Sequence, residues 1–259
     1  MVQRKWALLT MSILLVASEA GELKPVADHL ENLRKLNWPI DYAFEGITNG
    51  KRFLLAANGA GPKLASRATE VAIRAVTSAD LSSSQLEAVI STGYCGALDP
   101  VLKIGDIVVA HEVLDAASSE TFVCATLQGH ESRGVVFSQD RIANDLEEKQ
   151  QLFEKTGALA VEMEAGGVAA RAKRAGLPFY CIKVISDVST ESFGLDLNKM
   201  RTTEGRVARG KIVVQALMRP TLIPGLFRLK RRTEEVAQVL GDFLVSCRIG
   251  PDITSSSGE

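Results

Sequence analysis

Ala160-Val161-Glu162-Met163-Glu164-Ala165 and, about one helix and one strand later, Ile185-Ser186-Asp187 are the stretches on which the reading of this chain turns. Each half brings a carboxylate to the end of an apolar run. Val161 precedes Glu164, and Phe179-Tyr180-Cys181-Ile182-Lys183-Val184-Ile185 leads into Asp187. With Ala165–Ala175 helical between them, the order is strand, helix, strand, the signature of an α/β sheet. Side chains just past the strand ends of such a sheet face the ligand crevice. Two acids delivered there from neighbouring strands are placed to hold a sugar hydroxyl and to donate a proton. Taken singly, each has a plainer explanation: Glu164 caps a helix and Asp187 starts a turn.

The alternation extends outward in both directions. Ile13–Ala17 is expected as a buried strand and Glu22–Leu36 as a helix with Leu23, Val26, Ala27, Leu30 and Leu33 on one face. Asp41–Ile47 and Arg52–Ala57 form a hairpin around Asn49-Gly50, the dipeptide that a type I′ turn prefers. Further helices are expected at Lys63–Val76, Asn144–Lys155, Thr203–Met218 and Thr233–Cys247, and strands at Ala88–Thr92, Ile107–Val113, Ala158–Val161 and Phe179–Ile185. No repeat or linker interrupts this pattern. The expectation is a single α/β domain over 11–248, with a mixed central sheet flanked by helices, an N-terminal extension 1–10 and a flexible polar tail 249–259.

Composition narrows the function classes. The 259 residues are 46% hydrophobic, enough for a full core, and a formal charge of −1 gives no whole-chain case for nucleic acid. Four cysteines, Cys95, Cys124, Cys181 and Cys247, are scattered without a C-x-x-C, which suggests a reducing cytoplasm and neither disulfides nor zinc. Only three histidines occur, so a histidine metal centre is not expected. Arg4-Lys5 and the apolar run after it imitate a secretory signal, but the chain needs that run as its first strand; Met11 is an alternative start. No run reaches the roughly 18 apolar residues of a membrane span.

Gly59-x-Gly61 and Gly93-x-x-Gly96 both follow strands, where glycine lets backbone N–H groups approach a ligand; a turn requirement explains either pair alone. Neither fits a P-loop or a full G-x-G-x-x-G, which removes nucleoside triphosphate and dinucleotide readings.

Ser91-Thr-Gly-Tyr-Cys-Gly-Ala-Leu, Leu102-Lys-Ile-Gly-Asp-Ile-Val-Val, Val161-Glu-Met-Glu-Ala and Val184-Ile-Ser-Asp-Val together resemble the purine nucleoside phosphorylase and 5′-methylthioadenosine/S-adenosylhomocysteine nucleosidase superfamily. The phrases fall in family order over nearly the whole chain. Gly157–Glu164 and Leu222–Leu229 are also similar to the hopanoid-associated phosphorylase-like branch. The resemblance implies cleavage of the N-glycosidic bond of a purine nucleoside and a homo-oligomer. No metal or organic cofactor is expected, and phosphate is a possible co-substrate.

Position by position, the resemblance implies that Asp187 assists the purine N7, beside Ser186, and that Glu164 accepts hydrogen bonds from the ribose hydroxyls with Met163 packed under the sugar. Glu22 aligns with the acid that orients attacking water; its plainer explanation is a first-turn helix glutamate. Gly61, Gly93 and Tyr94 line the pocket, and Glu162 is expected to point away from Glu164 and stabilise the neighbourhood. Arg141 stands where an aromatic residue usually stacks on the base; an exposed helix position explains it as well.

Three departures shape the expected chemistry. Phosphorylases of the family carry Gly-Asp-Pro-x-Arg after the first strand, where this chain has Ala17-Ser18-Glu19-Ala20-Gly21-Glu22. Ser91 takes the place of an arginine and Tyr94 that of a serine, so the charge-assisted donors a phosphate needs are missing there and water is the expected nucleophile. Asp115–Gly134 is shorter than usual. The alternatives are phosphorolysis of a lipid-linked adenosyl nucleoside of hopanoid type and a non-catalytic nucleoside binder. Leu222–Arg232, with four cations in its last five residues, is either a weak membrane-surface contact or a helix start with a solvated basic face.

Overall fold

The computed structural model describes residues 10–77, 84–192, 197–200, 202 and 223–249. The expected helix Thr203–Met218, most of the N-terminal extension and the tail beyond Ile249 lie outside the described residues. The mixed sheet expected from the sequence has twelve strands: β1 (Thr10–Ala17), β2 (Glu31–Lys35), β3 (Tyr42–Thr48), β4 (Lys51–Ala57), β5 (Ser84–Ser91), β6 (Tyr94–Ala97), β7 (Ile107–Val109), β8 (Glu112–Asp115), β9 (Thr121–Val123), β10 (Val135–Ser138), β11 (Ala160–Glu162) and β12 (Phe179–Asp187). Their order is β2-β3-β4-β1-β5-β12-β6-β11-β10-β8-β9, with β7 paired to β12.

The sheet is covered on both faces, which explains why its central strands are continuous apolar runs. Along β1, Ile13, Leu15 and Ala17 face one layer with α1 (Ala20–Asp28) and α5 (Ile223–Ser246), while Leu14 and Val16 face the other with α2 (Pro62–Thr77) and α4 (Ala165–Arg174). Alanines line the inner faces of α2 and α4. A Cβ on Gly167 would lie 2.2 Å from the Pro62 carbonyl oxygen, so the first turn of α4 sits directly on the start of α2. α3 (Leu146–Thr156) is held at its start by Asp145, whose carboxylate accepts the Glu148 amide at 2.9 Å, and ends at Gly157 in the left-handed region.

The first helix is shorter than its apolar periodicity suggests. It ends at Asp28, and Glu31–Lys35 forms an exposed edge strand on β3 instead. Pro25 inside the helix removes one backbone donor, and Asn32 has a positive φ of 54°, so the chain turns out of the helix where Leu30 and Leu33 suggested continuation. Ile107–Val113 divides into β7 and β8, and the short strands β6, β9 and β10 were not read from the sequence. The hairpin is as expected, with Asn49 at φ 51° and Gly50 at φ 71°.

Replacing Asp145 with Ala is expected to lower stability by about 1 kcal/mol through loss of the α3 cap. Urea unfolding checks this: a midpoint unchanged from the parent would show that the cap is idle.

Candidate active site

Three parallel strands, β1, β5 and β12, end side by side, and the loops beyond them carry Ser18–Glu22, Thr92–Tyr94 and Asp187. Glu162–Glu164 arrive from β11. That strand is not a neighbour of β12, as the sequence suggested; β6 lies between, parallel to β12 and antiparallel to β11. The reversal brings the two acidic segments together from opposite directions.

Glu22 is buried and its carboxylate gathers donors from the loop after β1 and from the Gly93 loop after β5. Oε2 accepts from Ser18 N at 3.0 Å, Ser18 Oγ at 2.6 Å and Glu19 N at 2.8 Å, and Oε1 accepts from Tyr94 N at 2.8 Å. Glu22 therefore caps its own helix and also reaches across to the Gly93 loop. Gly93 is required beneath it, since at φ 114° a Cβ would lie 2.3 Å from Glu22 Oε1. Tyr94 reaches past this loop to donate its hydroxyl to the Thr233 carbonyl of α5 at 3.0 Å. Burial, and the nearby Glu22 and Glu234 carboxylates, push its phenol above the ordinary range.

Glu162 and Glu164 divide the work at the start of α4. Glu162 accepts from the Glu164 amide at 3.0 Å and the Ala165 amide at 2.9 Å, and ion-pairs at 2.7 Å with Lys183 Nζ, the same ammonium that Glu164 faces, so the two acids are turned to a common cation and not apart. Glu164 accepts from Gly61 N at 2.9 Å and lies 3.8 Å from Lys183 Nζ. Burial pushes its carboxyl up to about 7; the Lys183 ammonium and the Gly61 amide pull it down, and Glu162 and Glu22 add to the rise. Lys183 is wholly buried and also donates to the Thr92 carbonyl at 3.0 Å. Burial acts to lower its pKa, and Glu162 and Glu164 more than offset this, so the ammonium persists. Met163 is buried between these acids, outside the apolar clusters.

Asp187 lies against Gly96, where a Cβ would stand 2.8 Å from Oδ2. Its Oδ1 accepts from Ser186 Oγ at 2.7 Å and its Oδ2 from Lys149 Nζ at 2.6 Å. Arg141 is not brought into this cluster. It pairs with Glu148 at 3.0 Å with its side chain 59% exposed, because Glu148 at the start of α3 offers the nearer partner. Lys149 and Lys183 are the site residues that sequence reasoning missed. Lys183 had a signal, a lysine inside a nine-residue apolar strand, which must be paired if buried. Lys149 had none, since it stands in a helix rich in charge. A cavity of about 860 Å³ that includes Met11, Glu87, His130 and Tyr180 opens at the opposite ends of the strands, away from these acids.

Among the described residues no group of side chains fits a metal ion, and no helix is long and apolar enough to cross a membrane. Leu222 lies outside the described residues. From Ile223 the basic stretch is the start of α5, where Lys230 and Arg231 face Glu234 and Glu235 and Arg232 pairs with Glu191 at 2.9 Å.

The mixed sheet flanked by helices matches what comparison with known proteins finds. The chain belongs to the phosphorylase superfamily, whose family model matches residues 12–132 and 123–217. It is 29% identical over 168 residues to the DeoD-type purine nucleoside phosphorylase of Caldanaerobacter subterraneus, covering 56% of this chain and 68% of that one. It is 27% identical over 203 residues to the 5′-methylthioadenosine/S-adenosylhomocysteine nucleosidase of Staphylococcus epidermidis, covering 68% and 86%. Its fold is shared with two Helicobacter pylori structures, futalosine hydrolase and the same type of nucleosidase. Both are 18% identical, with TM-scores of 0.66 and 0.67; coverage is 91% of this chain and 96% of the hydrolase, and 92% and 97% for the nucleosidase.

Because the folded state holds the Glu164 proton up to about 7 against an ordinary 4.5, the folded chain binds more protons than the unfolded chain across that window. The contribution of this group to stability is full below the ordinary value and is lost as pH rises towards 7. Unfolding free energy measured across the window is expected to fall less steeply in Glu164→Gln; equal slopes would refute the assignment.

Proposed function

We propose that this chain cleaves the N-glycosidic bond of a purine nucleoside of adenosine type, with water as nucleophile. The observation that carries the choice of water is the Glu22 carboxylate. It occupies the concave set of N–H groups from Ser18, Glu19 and Tyr94 that the two loops would otherwise turn towards an anion. A phosphate dianion meets a fixed negative charge there. The nearby ammonium groups, Lys149 and Lys183, are already paired with carboxylates. Arg52 is tied to Glu45, and Arg67 to the Pro39 carbonyl. Ser91 and Thr92 contribute buried neutral hydroxyls without hydrogen-bond partners.

Bond breaking builds positive charge on the ribose and negative charge on the base. Glu164 accepts hydrogen bonds from the ribose hydroxyls, contacts that strengthen as the sugar becomes cationic. Among the described residues Glu22 Oε1 receives a single donor, and it keeps capacity to accept from, and deprotonate, the attacking water. Asp187, held by Ser186, hands a proton to the departing base. The family membership and the similarity to nucleosidase and phosphorylase sequences support this class of reaction. Three of the four cations of the basic stretch of α5, Lys230, Arg231 and Arg232, face neighbouring carboxylates, so the stretch gives no particular support to a lipid-linked substrate.

The test is purine release from adenosine, 5′-methylthioadenosine and S-adenosylhomocysteine, with and without phosphate. Release in phosphate-free buffer is expected, and Glu22→Gln and Asp187→Asn are each expected to lower kcat by about 10²–10⁴-fold. Release that requires phosphate overturns the hydrolytic reading. Release from none of the three overturns the adenosine-type assignment.

A further inference from the structure

Resting on that reading, we propose that Lys149 is a positioning residue that acts through Asp187 and is the source of the proton the carboxyl gives to the departing base. Lys149 sits on α3 among exposed charged neighbours, yet its own side chain is wholly buried. Taking an ammonium out of water costs several kcal/mol unless its hydrogens are matched. Here they are: Nζ donates to Asp187 Oδ2 at 2.6 Å, to the Val188 carbonyl at 2.8 Å and to the Glu191 carbonyl at 3.2 Å. Ser186 Oγ donates to the other oxygen of Asp187 at 2.7 Å.

Oδ2 of Asp187 therefore faces an ammonium hydrogen, while Oδ1 faces the Ser186 hydroxyl, whose single hydrogen also has the Cys95 carbonyl within 3.3 Å. A general acid must hold a proton, and Lys149 Nζ, 2.6 Å from Oδ2, has one to give. Among the described residues, the other groups around Asp187 do not compete. The Glu191 carboxylate turns to Arg232 at 2.9 Å, and the Cys95 thiol, pushed far up by burial, stays protonated. As the bond between C1′ and the base nitrogen breaks, its electron pair moves into the base. One proton passes from Nζ to Oδ2 and one from the carboxyl to a base nitrogen, leaving Lys149 a neutral amine and Asp187 a carboxylate. Water adds its hydroxyl to C1′ and gives its proton to Glu22. Solvent then moves a proton from Glu22 to Lys149, so the net reaction consumes one water and needs no oxidant or reductant.

Arginine keeps the positive charge and the hydrogen bonds but does not give up a proton in proteins. Lys149→Arg is expected to fold, to keep KM within about threefold and to lose about 10²-fold or more in kcat. Lys149→Met is expected to lose kcat at neutral pH and to regain it as pH is lowered, when the buried carboxyl takes its proton from solvent; Lys149→Arg gains nothing from acid. A Lys149→Arg enzyme within about threefold of parental kcat, or a Lys149→Met enzyme with no recovery in acid, overturns the inference and leaves the hydrolytic reading standing. A parent protein that releases no purine overturns both.

Discussion

The site depends on one buried ammonium. Lys183 lies in the middle of β12, wholly buried, and its Nζ joins Glu162 from β11 to the Thr92 carbonyl at the end of β5, with Glu164 close by. A lysine in that position is intolerable without partners, and two carboxylates that close together are intolerable without a cation. Each half of the arrangement therefore requires the other. Because Glu162 is held by Lys183, it can receive the first amides of α4, and Glu164 is set at the head of that helix with one oxygen on Gly61. Glu164 is thus positioned by a charge four residues from the strand end, out of reach of solvent.

The same economy of partners holds around Glu22. In a crevice built from loop N–H groups, either an external anion or an internal carboxylate can satisfy the donors. This chain supplies its own carboxylate, Glu22, in the first turn of α1, with Gly93 leaving room for it. That carboxylate takes up donors that an external anion would otherwise meet. Around Asp187 a second lysine, Lys149, plays the part that Lys183 plays towards Glu162. The three acids consequently differ in role through their partners: backbone and hydroxyl donors for Glu22, a backbone amide and a more distant ammonium for Glu164, and a direct ammonium for Asp187.

How much of this was legible in the sequence follows from what each interaction needs. The strands were legible because burial on both faces demands unbroken apolar runs such as Ile13–Ala17 and Phe179–Ile185. The hairpin was legible because Asn49-Gly50 carries its own turn chemistry. Glu164 and Asp187 stood out as acids at the ends of such runs. The end of α1 was not legible, since Leu30 and Leu33 keep a helical period that Pro25 and the positive φ of Asn32 override. The intervening β6 was hidden in a glycine-rich stretch, so strand adjacency was misjudged. Lys149 was hidden because burial of one residue in a charged helix depends on tertiary contacts with Val188 and Glu191, which no local pattern records.

Lys183 also gives the account its sharpest exposure to failure. If its ammonium holds the two glutamates and through them the head of α4, then removing the charge while keeping the bulk leaves buried carboxylates without a cation. Equilibrium unfolding of Lys183→Met is the direct measurement. The account predicts a loss of roughly 3–5 kcal/mol relative to the parent protein. A loss below about 1 kcal/mol would contradict it, placing the pair among ion pairs that contribute little to stability.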